Sequence, residues 1–251
     1  MVNLKNVFKS FGEKPVIEDV SLKIEKGTIT SFIGPNGAGK STLISMISRL
    51  IAKDEGDITI DGKDIFKTKS NELAKKISIL KQSNNINLKL TVRELVSFGR
   101  FPYSQGKLTK EDWEKVDEAI AYLELEEIQD KYLDQLSGGQ RQRAHIAMTV
   151  AQDTEYILLD EPLNNLDMRH ANQIMKTLRR LVDEKGKTVV IVIHDINFAS
   201  CYSDQIVALK DGKIVKQGRL SDVSDKCVIG KLYDMDIDLK EIDNKRICFY
   251  Y

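Results

Sequence analysis

The chain has 251 residues, which is long for one domain, short for two, and enough to bury a sizeable core. Its 38 Lys and Arg balance its 38 Asp and Glu, so composition offers no basic field for binding nucleic acid. The three cysteines form no C-x-x-C pair and favour reduced thiols, and no apolar run is long enough to span a bilayer. If the protein serves a membrane, we expect another chain to cross it.

The first sixty residues carry strand and helix signals in turn. Residues 1–30 alternate apolar and polar side chains around glycines, a two-residue period typical of strands joined by turns. Residues 28–33 form a short apolar run that predicts a strand, and residues 41–50 place apolar side chains at helical spacing directly after it. Residues 58–60, followed by Asp-Gly, predict a hairpin.

A glycine-rich loop connects that strand to that helix and fits the pattern G-x-x-x-x-G-K-S/T. Such a loop turns backbone N–H groups toward one anion, and the helix N-terminus adds partial positive charge. Its lysine supplies a mobile charge for the β- and γ-phosphates, and its serine hydroxyl suits Mg²⁺. A simple glycine-rich turn is the alternative, which the flanking strand and helix disfavour. The predicted nucleotide-binding residues are Gly34, Pro35, Asn36, Gly37, Ala38, Gly39, Lys40, Ser41 and Thr42.

The pattern becomes helical from about residue 85 to residue 150. Thr109-x-x-Asp112 predicts a capping box, with Asp in the place of the more usual Glu or Gln. We take His145, and His170 further along, as ordinary helix residues rather than ligands. Behind the capping box an apolar stripe shares one helix face and is expected to pack in the core: Trp113, Val116, Ile120 and Leu123.

Two nearly continuous apolar runs, residues 156–159 and 188–193, predict strands buried on both faces, with a helix between them. Strands alternating with helices indicate an α/β fold with a mostly parallel sheet. The first run ends at Asp160 and Glu161, where acids can hold Mg²⁺ and face an attacking water. A plain polar step from strand to loop is the alternative. After about residue 220 no motif is found.

A second glycine-rich loop, Leu136 to Gln140, opens another helix. A protein that holds one nucleotide does not need two anion-binding loops. Together with the phosphate loop and Asp160-Glu161, this Leu-Ser-Gly-Gly-Gln sequence makes the chain resemble the ATP-binding-cassette (ABC) ATPases, over almost its whole length. The resemblance implies a P-loop NTPase fold with a RecA-like core, an N-terminal antiparallel β subdomain and an inserted α-helical subdomain.

The resemblance also implies one domain over residues 1–251. Its core and β subdomain would comprise residues 1–84 and 151–220, the helical subdomain about 85–150, and a small C-terminal cap about 221–251.

Further site residues follow from the same resemblance. Gln82 matches the Q-loop and would join Ser41 and Asp160 at Mg²⁺, while His194 matches the switch histidine and would act with Glu161 in catalysis. Asp167 matches the D-loop. Phe11 matches the aromatic that stacks on adenine, although an ordinary apolar residue is a serious alternative for it. The signature residues that would contact ATP are Ser137, Gly138, Gly139 and Gln140.

The family's mode of action implies ATP and Mg²⁺ as cofactors and an ATP-bound homodimer. Two copies would pair head to tail, each ATP lying between one subunit's phosphate loop and the other's signature loop. ATP would then be both ligand and adhesive, and hydrolysis would let the dimer open. Gln82 would couple the nucleotide to the helical subdomain and to a membrane partner.

Local features narrow the subfamily. Residues 91–109, 137–148 and 160–167 are similar to ATPases of iron–siderophore importers and their vitamin B12 and heme relatives. The chain departs from the common pattern at Leu163, where Thr is usual, and at Asn164-Asn165, where Ser-Ala or Thr-Ser is more frequent. Contacts of the D-loop are therefore not carried over from the family. Arg93, Arg100 and Tyr103 are expected either to face the membrane partner or to form a solvated helix face.

The resulting hypothesis is an ATPase subunit of an importer, most simply for ferric siderophores. It would lie peripherally on the cytoplasmic face of the cell membrane, on two permease subunits supplied by a substrate-binding protein, with no role for nucleic acid. The alternatives are an importer for heme or vitamin B12, or a non-transport ABC ATPase. The latter usually has a long coiled coil or two tandem cassettes, which are missing here. A P-loop kinase or GTPase would lack the signature loop and His194.

Overall fold

A computed structural model describes residues 1–82, 89–223, 226–242 and 245–250, which form strands and helices in an α/β arrangement. The strands are β1 (Val2–Phe11), β2 (Lys14–Ile24), β3 (Ile29–Ile33), β4 (Glu55–Ile60), β5 (Lys63–Asp64), β6 (Ile77–Leu80), β7 (Tyr156–Leu159), β8 (Thr188–Val192), β9 (Gln205–Lys210), β10 (Lys213–Gly218), β11 (Ile237–Ile242) and β12 (Lys245–Tyr250). The helices are α1 (Lys40–Ile47), α2 (Ser70–Ala74), α3 (Val92–Ser97), α4 (Phe101–Ser104), α5 (Lys110–Tyr122), α6 (Gly138–Ala151), α7 (Met168–Lys185), α8 (Ile196–Tyr202), α9 (Leu220–Val223) and α10 (Lys226–Tyr233), with short 3₁₀ turns at Phe98–Arg100, Glu126–Ile128 and Leu133–Gln135.

A six-stranded sheet in the order β10-β9-β3-β8-β7-β6 forms the centre of the fold. Strands β9, β3, β8, β7 and β6 run parallel, and β10 pairs antiparallel with β9 at one edge. Every residue of β3, β7 and β8 is buried, which explains the apolar sequences of β7 and of β8 after Thr188. Strand β3 buries Thr30 and Ser31 as well as its apolar residues. The parallel sheet expected from alternating strands and helices is confirmed.

The two faces of this sheet are covered differently. Alternate residues of a strand point to opposite faces, so Tyr156 and Leu158 join one core while Ile157 and Leu159 join another. The first core also contains α1 and a four-stranded antiparallel sheet in the order β2-β1-β4-β5, in which β4 and β5 form the predicted hairpin. The second core contains apolar residues of α3, α5, α6 and α7.

Helices α3 to α6 lie between β6 and β7 in the chain. Thr109 and Asp112 form the predicted capping box at the start of α5. Val116, Ile120 and Leu123 are buried as expected, but Trp113 is 36% exposed, with the guanidinium of Arg93 5.0 Å from its ring. The expectation that Trp113 lies in the core is wrong, because a cation–π contact at the surface accommodates its ring.

Arg100 belongs to the interior of this helical region. Its side chain and that of Asp112 are each only 5% exposed, with Nε of Arg100 2.9 Å from Oδ1 of Asp112. Arg100 also donates to the carbonyl oxygen of Ala151, 2.9 Å away, and its guanidinium lies 4.0 Å from the ring of Tyr103. Arg100 is therefore neither on a solvated helix face nor available to a partner, contrary to both expectations from the sequence.

The C-terminal residues pack on the outer part of the central sheet. Val223, Ile229 and Leu232 of α9 and α10 share a buried cluster with Ile206 and Ala208 of β9. The division of the chain into subdomains stays a prediction, and its boundary near residue 85, like Tyr251, lies outside the described residues. In the part of the chain that is described, no helix is both long and apolar enough to cross a membrane.

Candidate functional site

The strand order brings four of the predicted site segments to one edge of the sheet. The phosphate loop begins at Gly34 after β3, His194 follows β8, Asp160 follows β7, and Gln82 follows β6. These strands are parallel neighbours in the order β3-β8-β7-β6, so their carboxyl ends lie side by side. Such an edge is the usual ligand site of an open α/β sheet.

The phosphate loop has a backbone that needs its glycines. Gly34, Gly37 and Gly39 have φ values of 141°, 80° and 96°, in the region where residues with a Cβ are strained. A Cβ on Gly34 would also lie 2.0 Å from the carbonyl oxygen of Leu209. A Cβ on Gly37 would meet open space. The open side of the loop is therefore at Gly37 and the exposed Asn36, while Gly34 is held against β9.

The Lys40 side chain lies inside this loop. The residue is 4% exposed, and its ammonium donates to the carbonyl oxygens of Gly34 and Pro35 at 2.8 and 2.9 Å. Burial lowers the pKa of Lys40, and the negative charges of Glu161 and Asp160 oppose that effect. The cation is thus fixed at the first residue of α1, beside the pair of acids after β7.

Ser41 and Asp160 place two oxygen atoms that could bind a metal ion next to each other. The Ser41 hydroxyl donates to Oδ1 of Asp160 at 2.7 Å, and Asp160 is 6% exposed. Burial is the main reason that the pKa of Asp160 is raised. A hydroxyl oxygen and a carboxylate oxygen are the kind of ligand that Mg²⁺ prefers. The described residues contain no cluster of three or more His, Cys, Asp and Glu that could hold a metal ion.

Glu161 is enclosed by side chains from three segments. Its Oε2 accepts from the amides of Gln82, at 2.5 Å, and Asn164, while Nε2 of His194 lies 2.9 Å from its Oε1. The Glu161 side chain is 10% exposed and its φ is 53°. A left-handed φ at a non-glycine residue is a strained conformation of the kind that occurs at functional sites. Gln82, predicted as a Mg²⁺ ligand, therefore lies on Glu161 here.

The signature loop forms the start of α6. Ser137 is the N-cap, accepting from the Gln140 amide at 3.3 Å, and the Gln140 side chain accepts from the Ser137 amide at 3.0 Å, which completes a capping box. Ser137 and Gly138 are exposed. Among the described residues no hydrogen bond or ion pair joins this loop to the phosphate loop.

The signature loop does contact the start of α7. Asp167 is the N-cap of α7 and accepts from the His170 amide at 2.8 Å. The His170 ring places Nδ1 2.9 Å from both Asp167 carboxylate oxygens, and a Cβ on Gly139 would lie 2.8 Å from its Cγ. His170, expected to be an ordinary helix residue, therefore connects Asp167 to Gly139. The spacing Asp167-x-x-His170 at a helix start is the feature of the sequence that could have indicated this contact.

The remaining predicted residues lie at the end of β1, in the phosphate loop and in α1. Phe11 ends β1 with its side chain largely exposed, at 51%, and Nζ of Lys9 lies 5.4 Å from its ring centroid. Ala38 is buried and Thr42, in α1, is half-buried. The Gly34 amide donates to the Tyr233 hydroxyl at 3.2 Å, a contact from the C-terminal helix α10 that the sequence did not predict.

Comparison with known proteins agrees with this architecture. The protein family described as "ABC transporter" matches residues 17–164. The chain is 64% identical over 251 residues to the petrobactin import ATP-binding protein YclP of Bacillus subtilis (strain 168), with both chains covered completely. It is 40% identical to the ferric enterobactin transport ATP-binding protein FepC of Escherichia coli (strain K12), covering 90% of this chain and 84% of that protein.

Solved structures give the same result. The dimeric, post-hydrolysis structure of the ATP-binding cassette MJ0796 with ADP and Pi is 37% identical, with a TM-score of 0.78, covering 88% of this chain and 99% of that chain. An inward-facing putative metal-chelate type ABC transporter, 22% identical with a TM-score of 0.86, covers 100% of this chain and 96% of its own, and it supports the fold alone.

Proposed function

The chain belongs to the ABC transporter family and is an ATP hydrolase, and we propose that it powers an importer of ferric siderophores. The observation that carries the proposal is the edge of the central sheet, where Lys40, Ser41, Asp160, Glu161 and His194 lie together. These groups supply a phosphate-binding cation, a metal-binding pair and a carboxylate base. The likeness to siderophore-import ATP-binding proteins supports the cargo class.

ATP binding would use the phosphate loop and the surface beside it. The β- and γ-phosphates would face the open side of the loop at Gly37, where backbone amides and the N-terminus of α1 favour negative charge. Lys40 would turn its ammonium from the carbonyl oxygens of Gly34 and Pro35 to the phosphates. The exposed ring of Phe11 would stack on adenine.

Ser41 and Asp160 would hold Mg²⁺, with Gln82 as a further ligand. When bound, the ion would neutralise charge on the β- and γ-phosphate oxygens. Ser41 is already oriented by its hydrogen bond to Asp160, so the two oxygens need little rearrangement. Gln82 would have to leave Glu161 to reach this position.

Hydrolysis would use Glu161 as the base. A water attacking the γ-phosphorus would give a proton to the Glu161 carboxylate as the new P–O bond forms and the bond to ADP breaks. His194, now beside Oε1, would contact the γ-phosphate and help to place that water. The low exposure of Glu161 limits competing hydration of its carboxylate.

A head-to-tail homodimer would complete each site. The exposed Ser137 and Gly138 at the N-terminus of α6 suit the γ-phosphate of a partner's ATP, with Gly139, Gln140 and Asp167 beside them. The dimeric state of MJ0796 supports this arrangement. Two such subunits would act on two permease subunits at the cytoplasmic face of the membrane, supplied by a substrate-binding protein.

The cargo is tested by uptake in cells that lack this chain. Radioactive iron is offered as ferric petrobactin, ferric hydroxamate, ferric enterobactin or heme, and the chain or its Glu161→Gln variant is restored. We expect the parent chain alone to restore uptake of one siderophore. Restored heme uptake alone would replace the cargo assignment, and equal uptake with Glu161→Gln would contradict the assignment of Glu161 as the base.

A further inference from the structure

We propose that Asn164 is the positioning residue that keeps the Glu161 carboxylate in place during hydrolysis. The proposal rests on the proposed roles of Glu161, Gln82 and His194. It concerns a position at which the sequence departs from the family pattern given above and to which the resemblance assigns no role.

The three side chains that contact the Glu161 carboxylate come from different parts of the chain. Gln82 follows β6 and His194 follows β8, the two strands on either side of β7. Asn164 lies in the same turn as Glu161, and its backbone amide donates to the Glu161 carbonyl oxygen at 3.3 Å. Its side-chain amide donates to Oε2 of the carboxylate. Asn164 therefore moves with Glu161, whereas Gln82 and His194 can move independently of it.

The proposed reaction needs both of the movable groups elsewhere. Gln82 would turn to Mg²⁺ and His194 to the γ-phosphate, so Glu161 would lose two of its three partners when ATP is bound. A carboxylate without a donor gains rotamer freedom and leaves the geometry that proton transfer requires. The Asn164 amide would still hold Oε2, and Oε1, released by His194, would face the incoming water.

Local backbone geometry does not account for an asparagine at position 164. The turn requires a left-handed residue at Asn165, with φ 60°, and Asn suits that conformation, but the φ of Asn164 is not positive. The N-cap of the following helix is Asp167, not Asn164. The carboxylate of Glu161 is the contact that a side-chain amide at position 164 makes.

The neighbouring asparagines provide a matched test. Asn164→Asp and Asn165→Asp are both isosteric and add the same charge one residue apart, but only the first removes the donor to Glu161. We expect Asn164→Asp to lower kcat for ATP about ten- to a hundredfold and Asn164→Ala about tenfold, with KM changed less than about twofold. Asn165→Asp should keep kcat within about twofold of the parent.

ATP affinity of the isolated subunit separates positioning from folding. A nucleotide-binding titration should give the same affinity for the parent, Asn164→Asp and Asn164→Ala. Equal losses of kcat in the variants at 164 and 165, parent-like kcat in Asn164→Asp, or a loss of ATP affinity as large as the loss of kcat would each overturn the proposal. Glu161→Gln is the accompanying control: parent-like turnover in that variant would instead remove the proposed base.

Discussion

Gly139→Ala should destabilise the protein only while His170 is present. The new Cβ would lie 2.8 Å from Cγ and 2.9 Å from Cδ2 of the His170 ring, closer than van der Waals contact allows. Forcing a methyl group into a packed contact costs about 1–3 kcal/mol. Position 139 lies in the first turn of α6, where Ala is preferred to Gly by about 0.5–1 kcal/mol. The net cost is the difference, roughly 1 kcal/mol.

His170→Ser removes the ring and should reverse the sign of this effect. In that background Gly139→Ala should stabilise the nucleotide-free protein by about 0.5–1 kcal/mol, because only the helix preference remains. The coupling energy of the double-mutant cycle should equal the packing cost, about 1–3 kcal/mol. Each kcal/mol corresponds to about 2–4 °C in Tm for a chain of this size.

Urea unfolding of the parent, both single variants and the double variant, all without nucleotide, measures the four free energies. Omitting ATP removes any effect of the extra methyl group on phosphate binding. Additive effects, with Gly139→Ala equally destabilising in both backgrounds, would show that the His170 ring does not lie against Gly139.

Other substitutions test separate parts of the molecule. Arg100→Ala should lower the free energy of unfolding by about 3–5 kcal/mol because it leaves the buried Asp112 carboxylate without its cationic partner; a loss below about 1 kcal/mol in urea unfolding would contradict this. Burial, with Arg141 nearby, lowers the pKa of His145. The free energy of unfolding should therefore fall as the pH drops below about 6.5, by at most about 1.4 kcal/mol per pH unit. His145→Leu should flatten this pH dependence when unfolding is measured at pH 7 and pH 5.5. Lys40→Ala should weaken ATP binding tenfold or more in a nucleotide titration, a change of about 1.4 kcal/mol per tenfold, and unchanged affinity would contradict the phosphate-loop assignment.

The sequence predicted the central strands because burial on both faces leaves a local trace. β7 is apolar throughout and β8 is apolar after Thr188, while β3 includes Thr30 and Ser31, and the structure buries every residue of the three strands. It did not predict the order β3-β8-β7-β6, which depends on pairing between distant segments. The prediction that Trp113 lies in the core was wrong because helical periodicity indicates only which face of the helix a residue is on. It does not indicate that the guanidinium of Arg93 covers the Trp113 ring at the surface.

Part of the candidate site could likewise be predicted from the sequence, and part could not. Motif spacing located Lys40, Asp160, Glu161 and His194 in the chain, because each lies in a loop or directly after a strand that has a recognisable sequence pattern. Contacts between segments had no such pattern. That Glu161 lies between the residues after β6 and β8 follows from the strand order, and the Asn164 contact follows from a side-chain direction within a turn.

The hydrogen bond from Gly34 to Tyr233 has a consequence for the modularity of the protein. The first amide of the phosphate loop donates to the Tyr233 hydroxyl of α10, nearly two hundred residues later in the chain. Helix α10 is held in turn by Lys210, whose ammonium donates to the Lys231 carbonyl oxygen at 2.7 Å. A shortened chain that ends near residue 220 would keep every nucleotide-binding motif and still lose this support. The transplantable unit for nucleotide binding thus includes α10, and hydrogen exchange at the Gly34 amide would report whether the C-terminal segment is docked.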